Sequence, residues 1–486
     1  MLRCLMLALL CCFLYSCKKK GKDPIPNDPA PADTLALSDN LYIIDGTSVR
    51  TPDSNFMSST MKLTGSNLVS GEFKFTGANI PAIQPGDFIA SAGGYGYLRA
   101  VVSVVGYSST AVTLNTKQAA LEDVIEKATI YLSMTPDVSQ HSLNNITFPN
   151  TGSASLKILN GGTVTFGPTY TLKMEFDNHK LQLLEMRAAQ TSFTNNLELR
   201  LTANNTGSIN ITDYPVKKFT KKFVANVGKL PIAIEMNIEL LATVQATYNI
   251  PSQTIGQSAW FSSNATTTTG LLYSMGKWSF TEATERKFNY TPEICEFDGD
   301  MQASLTPKVE LSIYGVKGLA VSLKDTNWFD GSFNYTTRDW YMTWESFMQA
   351  GGGANPAILG RSVPTYNIMR DVPNTKHSGK APFEIKRISG YDVAGMSNGK
   401  ISQAVMQVVN YQGLPLYGVP VHFSMGNETG PSPGSAMFFP EAAISVSGGN
   451  ASTNWVFGDG EAWNAQAKIK KPDGTVLYTV GLNAKK

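Results

Sequence analysis

The sequence predicts an all-β protein of several domains, and three observations predict it. Apolar and polar residues alternate over segment after segment: Leu172, Met174 and Phe176; Leu197, Leu199 and Leu201; Ile232, Ile234, Met236 and Ile238; Val309, Leu311 and Ile313. A period of two with one apolar side marks half-buried strands. Turn chemistry recurs between such segments, with Asp330-Gly331 between aromatic arms and Asp473-Gly474 between Ala465–Lys471 and Thr475–Leu482, both suited to tight hairpins. Helical periodicity is sparse. Gln118–Lys127 can make a turn or two, and Trp340–Gln349 reads as a strand because Trp340, Met342 and Trp344 alternate.

The chain opens on Arg3, about a dozen apolar residues from Cys4 to Tyr15, and the sequence Leu14-Tyr15-Ser16-Cys17. The apolar run is shorter than the roughly 20 residues that cross a bilayer, so it reads as a secretory signal. Leu14 at −3, Ser16 at −1 and Cys17 resemble the bacterial lipobox, with Tyr15 in place of the usual small residue at −2. The resemblance implies that residues 1–16 are a lipoprotein signal peptide and that the Cys17 thiol is acylated, which makes a membrane the first expected partner. Residues 17–40 then form a lipidated tether. Lys18-Lys19-Lys20-Gly21-Lys22 and Pro24, Pro26, Pro29 and Pro31 leave too few apolar residues to fold. Surface-exported lipoproteins of Bacteroidota-like bacteria tend to carry acidic residues after the cysteine. Here they are basic, so the expected location is the outer membrane with its periplasmic or extracellular face left open.

The formal net charge is +2, and removal of residues 1–16 takes away only Arg3. A near-neutral balance argues against nucleic acid as a partner, because phosphate binding needs concentrated Lys and Arg. Of five cysteines, Cys4, Cys11 and Cys12 lie in the signal and Cys17 in the anchor, which leaves Cys295 alone. Intrachain disulfides are therefore not expected, Cys295 reads as a buried small hydrophobe, and stability must come from burial over large domains.

Three folded regions are expected. Residues 41–135 carry Gly86-Asp87-Phe88-Ile89, then Gly93-Gly94-Tyr95-Gly96-Tyr97-Leu98-Arg99-Ala100-Val101, and Thr116 through Val124. They resemble a small β-module of large bacterial surface proteins. Their glycine cluster lacks the Lys-Ser/Thr or the long helix of a phosphate loop and reads as a turn.

Residues 150–380 suit one large β-domain or two abutting ones, and they hold Trp260, Trp278, Trp328, Trp340 and Trp344. Tryptophans on an exposed β-face stack on the C–H faces of sugar rings, with Asp and Asn beside them orienting hydroxyls. In a core the same residues are packing. These five are the candidate ligand-contact residues, and exposure separates the two readings. Glu296-Phe297-Asp298-Gly299-Asp300 groups three carboxylates, but it lacks the ligand spacing of an EF-type loop and reads as a solvated turn.

From residue 381 to 486 the chain carries Gln412-Gly413-Leu414-Pro415-Leu416-Tyr417-Gly418-Val419-Pro420-Val421-His422-Phe423, then Ala451-Ser452-Thr453-Asn454-Trp455-Val456-Phe457-Gly458, and a terminal strand pair around Asp473-Gly474. This resembles a bacterial Ig-like domain of the invasin and intimin (Big-1) type. The resemblance covers about a fifth of the chain and implies a β-sandwich, commonly a spacer or adhesive tip, with no catalytic motif to transfer.

Catalytic motifs are hard to find. Gly430-Pro431-Ser432-Pro433-Gly434 matches Gly-x-Ser-x-Gly, but Pro433 has no N–H to offer an oxyanion hole. His141, His179, His377 and His422 are scattered, and His179 and His422 read as surface residues of strands. No metal site, cofactor or catalytic residue is expected. Two functions are carried forward. The favoured one is a non-enzymatic, lipid-anchored cell-envelope protein in adhesion or envelope interaction. The alternative is a glycan-binding or glycan-processing lipoprotein of a polysaccharide-capture system. The expected partners beyond the membrane are a glycan or another envelope or host-surface component.

Overall fold

Alternation this long can bury its apolar side only if two sheets face each other, and the protein is built that way. The computed structural model describes residues 37–48 and 61–486, apart from 68, 81, 93–95, 137–139, 150–153, 160–161, 166–168, 228–229, 250–254, 292–294, 361, 411 and 430–435. Cys17 and the tether up to residue 36, the Gly93–Tyr95 cluster and the Gly430–Gly434 motif lie outside the described residues, whereas 37–40, expected as the end of the tether, open the strand Leu37–Ser48. The described chain is all-β, interrupted by one four-residue helix, Leu121–Val124, and a short 3-10 turn, Pro356–Ile358. Gln118–Lys127 thus yields only a single helical turn.

One long sheet runs from Leu37–Ser48 through Lys127–Pro136, Thr169–Asp177, Lys180–Ala203 and Ile255–Ser274 to an edge strand, Lys277–Thr291. The other runs from Gly207–Val227 through Leu230–Asn249, Asp298–Ile313 and Val316–Phe333 to Trp340–Ala354, with Tyr366–Asp371 and His377–Ala381 paired along that last strand. Trp340–Gln349 is therefore strand, as its alternation predicts.

Along Leu230–Asn249 the inward side is Ile232, Ile234, Met236, Ile238, Leu240, Ala242, Val244, Ala246 and Tyr248, all buried, while Glu235, Glu239, Gln245 and Thr247 point outward. Each buried aliphatic side chain of this kind contributes about 1.5–3 kcal/mol. The sheets meet closely. Phe288 packs on Trp344 at 5.4 Å, Tyr290 on Trp344 at 4.9 Å, and a Cβ on Gly352 would lie 2.6 Å from the Phe280 ring. Glycine at 352 is the residue that allows that approach.

The stretch 41–135 contributes at two levels. Leu37–Ser48 and Lys127–Pro136 pair with each other, and Lys127–Pro136 pairs with Thr169–Asp177, so both belong to the first long sheet. Between them the strands Met61–Asn67, Glu72–Gly77, Phe88–Ser91, Tyr97–Tyr107 and Ala111–Gln118 make a separate five-stranded sheet around Phe73, Phe75, Ile89, Tyr97 and Leu114.

The C-terminal region is a sandwich of a four-stranded and a five-stranded sheet around Trp455, Trp463, Phe438 and Phe457. Asp473-Gly474 turns its last hairpin, with the Gly474 N–H on the Lys471 carbonyl at 2.9 Å and the Thr475 N–H on Asp473 Oδ1 at 2.8 Å. Pro415–Gly418 links Ile401–Val409 to Pro420–Thr429, which lie in opposite sheets of this sandwich. The sandwich is seated on the larger one. Trp340 Nε1 donates to the Gly418 carbonyl (2.9 Å), Asn334 Nδ2 to the Pro472 carbonyl (2.9 Å), and His422 Nε2 lies 2.6 Å from Asp339 Oδ1. Residues 35–486 accordingly form one compact unit.

Candidate functional site

The outward side of the second long sheet carries an aromatic and polar face laid out by strand register. Gln245, Gln302, Trp328 and Glu345 stand opposite one another on four adjacent strands, and Thr247, Asp300, Asp330 and Thr343 form the next row. Their neighbours Met301, Asn327, Phe329, Met342 and Trp344 are buried inward, which turns these two rows outward. Trp328 is half-buried, and Asp330 is exposed.

Three carboxylates converge here. Asp300 and Asp330 are direct cross-strand neighbours, an arrangement of like charges that costs stability. Although the residue as a whole is exposed, partial desolvation of its carboxyl on the sheet face pushes Asp330 above its ordinary pKa, and the charges of Asp300 and Asp298 push it further, against a hydrogen bond with Thr343. Thr247 donates to Asp300, and Lys376 pairs with Glu345 at 2.9 Å at the margin. A face of this kind offers one apolar ring and a row of acceptors that gain from incoming hydrogen-bond donors. A sugar presents that combination, a C–H face and hydroxyls.

The five sequence-selected tryptophans do not gather on this face. Trp340 and Trp344 are buried, at 1% and 2% exposure, and pack between the sheets and under the C-terminal sandwich. Trp278 is held by stacking on Tyr366 (5.8 Å) and by donation to the Pro364 carbonyl (2.7 Å). Trp260 is half-buried on the outward side of the first sheet, opposite Glu198, and so faces away from Trp328. Trp328 alone combines outward placement with flanking carboxylates and amides.

Other sequence-selected groups have structural surroundings. Cys295 is fully buried, its thiol donates to the Phe297 carbonyl at 3.2 Å, and burial pushes its pKa up to about 12, so it carries no thiolate at neutral pH. His179 sits in the turn before Lys180–Ala203 with φ 57°, not within a strand, and its Nδ1 lies 3.1 Å from the Glu122 carbonyl. His422 is in a strand, but it faces Asp339 at the domain contact rather than solvent. No group of three His, Cys, Asp or Glu side chains suited to a metal ion occurs among the described residues.

The tertiary structure also assembles two clusters that sequence reasoning missed. Between the sheets, Arg286 Nη2 pairs with Asp325 Oδ1 at 2.7 Å and also donates to Ser346, Nη1 donates to the Thr375 carbonyl at 2.6 Å, and Nε donates to Ser263 at 3.0 Å. Both partners of the ion pair are wholly buried, and burial lowers the Arg286 pKa while Asp325 holds it up. Elsewhere, the buried Glu122 carboxylate accepts from the Leu181 N–H (2.8 Å) and the Ser362 hydroxyl (2.7 Å), tying three distant segments. The sequence trace of the first is a charge at an inward position of an alternating strand; Glu122, in the short helix Leu121–Val124, leaves none. Arg286 shares its side of Lys277–Thr291 with Phe280, Phe288 and Tyr290.

No known protein family matches the sequence, and no curated protein is similar to it.

Proposed function

We propose that this protein is a non-enzymatic, lipid-tethered protein of the cell envelope that works by contact, in adhesion or envelope interaction, and that it takes a carbohydrate on the outward face around Trp328. The lipobox-like Leu14-Tyr15-Ser16-Cys17 and the proline-rich tether support the anchor. One observation carries the ligand: Trp328 stands in register between Gln302 and Glu345, one row from the Asp300 and Asp330 pair. Behind the face Met301, Phe329, Met342 and Trp344 are buried, which supports a preformed face that needs little ordering on binding.

The test is a panel of neutral oligosaccharides titrated against the chain lacking residues 1–16 and carrying Cys17→Ser. Binding should fall at least about tenfold in Trp328→Ala, an energy of ~1.4 kcal/mol, with Trp260→Ala unchanged. Equal binding by wild type and Trp328→Ala, or no binding by either, would remove the carbohydrate from the proposal.

A further inference from the structure

Between the two sandwiches the chain takes a detour along the open side of the larger one. From Pro364 to Ala381 it is the outermost, interrupted strand of the second sheet, with Tyr366–Asp371 and His377–Ala381 paired to Trp340–Ala354. Across the open side, side-chain contacts in matching order fasten it to the edge strand Lys277–Thr291 of the other sheet. Trp278 Nε1 donates to the Pro364 carbonyl at 2.7 Å. Arg370 Nη2 donates to the Phe280 carbonyl at 3.3 Å and lies 3.8 Å from Glu282. Arg286 Nη1 donates to the Thr375 carbonyl at 2.6 Å, and His377 stacks on Phe288 with centroids 5.1 Å apart and planes 16° from parallel. Thr375 is itself buried and tied to Trp340–Ala354 through the Met348 N–H (3.2 Å). Beneath this segment lies a polar inner row, Ser263, Thr267, Thr284 and Ser346, which is unusual for the middle of a sandwich.

We infer that residues 364–381 are an acid-released strap, with His377 as the group whose protonation frees them from the edge strand. The imidazole is placed for this. Its Nε2 is buried and meets no hydrogen-bond partner among the described residues, so a proton added there has no acceptor. The Phe288 ring that stacks on His377 also lies under the Arg286 guanidinium, at 4.9 Å. A second cation would therefore arrive beside the first.

The surrounding charges do not compensate. On the facing strand Asp325 is already paired with Arg286, and on Trp340–Ala354 Glu345 is taken by Lys376 of the strap. Burial and the Arg286 charge accordingly push His377 below the ordinary histidine range. A histidine depressed in the closed form binds its proton more readily in the open form. Strap closure is thus insensitive to pH above the ordinary histidine pKa of about 6.5 and weakens as the pH falls below it. Opening bares the edge strand and the polar inner row, and it loosens the segment that leads into the C-terminal sandwich.

Hydrogen exchange of the full chain at about pH 7.5 and about pH 5.5, corrected for intrinsic rates, reads this directly. Exchange of 364–381 should quicken at least about threefold at the lower pH, with a ceiling of about tenfold set by one proton and an open-form pKa of about 6.5, while Leu230–Asn249 stays protected. In His377→Phe, which keeps the stacking ring without the proton, the strap should exchange equally at both values. Should that variant misfold, the wild-type profile decides alone, through its midpoint below about 6.5. Equal protection of the wild-type strap at both pH values, or undiminished acid release in His377→Phe, would overturn the inference.

Discussion

Arg286 and Asp325 show what one charged pair does inside a sandwich. Four of the groups that receive or surround the guanidinium come from four different segments, so the pair pins the two sheets at one register. Removing only one partner leaves a charge in the interior, and Asp325→Ala should cost about 3–5 kcal/mol in urea unfolding. The double variant Arg286→Met, Asp325→Leu should recover most of that loss, because shape is kept and no charge is stranded.

Asp330 behaves in the opposite sense. Its pKa is raised in the folded protein, so the folded state holds its proton more tightly than the unfolded chain does, and stability contributed by that proton appears only as the pH falls through the folded value. At neutral pH the carboxylate is a cost. Asp330→Asn should therefore raise the thermal midpoint at pH near 7, with the gain shrinking as the solution is acidified, and it should weaken carbohydrate binding. A residue that costs stability on an outward face is the pattern expected where binding, not folding, retains it. A lower midpoint for Asp330→Asn near neutrality would contradict this.

Among the elements, the long strands follow from their own alternation, but the turns do so only in part. Asp473-Gly474 closes its hairpin, whereas Asp330-Gly331, expected as a hairpin turn, lies inside Val316–Phe333, paired with strands on both sides because alternation continues through it. Tyr314-Gly315 and Met275-Gly276 both have positive φ at each residue, and they close the hairpins Asp298–Ile313 to Val316–Phe333 and Ile255–Ser274 to Lys277–Thr291. Gly352 is different, since its reason lies across the interface in Phe280. Gly352→Val should cost about 1–3 kcal/mol by overpacking, read as a shift in urea midpoint, whereas Gly481→Ala should cost less because open space surrounds it and its backbone is not left-handed. The exposed edge strand Gly207–Val227 carries Lys217, Lys218, Lys221 and Lys222, charges that discourage pairing with another chain.

For the whole molecule, the C-terminal sandwich is a seated body. Its Gly418 and Pro472 carbonyls and His422 meet Trp340, Asn334 and Asp339 of the larger sandwich. Ending the chain at residue 381 should bare the buried Trp340 indole, shift tryptophan emission to the red and lower the unfolding midpoint of the remainder. Unchanged emission would mean that the contact contributes nothing to Trp340 burial. At the other terminus, Cys17→Ala should move the protein from the membrane fraction to the soluble fraction of cells, the expected outcome if two acyl chains are the anchor.

The all-β class, the inward residues of strands such as Leu230–Asn249, the Trp455 core of the C-terminal sandwich and the isolation of Cys295 are all readable in the sequence. Each depends on local period, local turn chemistry or a count. Which strands share a sheet is not local. Lys127–Pro136 joins Thr169–Asp177 across a sheet that no pattern within 41–135 announces. The same limit applies to the tryptophans, because alternation says that Trp340 and Trp344 share one side of their strand but not which side faces the other sheet, and only the pairing of Trp344 with Phe329 puts Trp328 on the opposite side. Only the packing of the two sheets decided that Trp344 is core and Trp328 is surface. It likewise brought Asp300 beside Asp330, Arg286 to Asp325 and His377 onto Phe288, because long-range register, set by the burial of whole faces, is a property of strand pairs and not of any one segment.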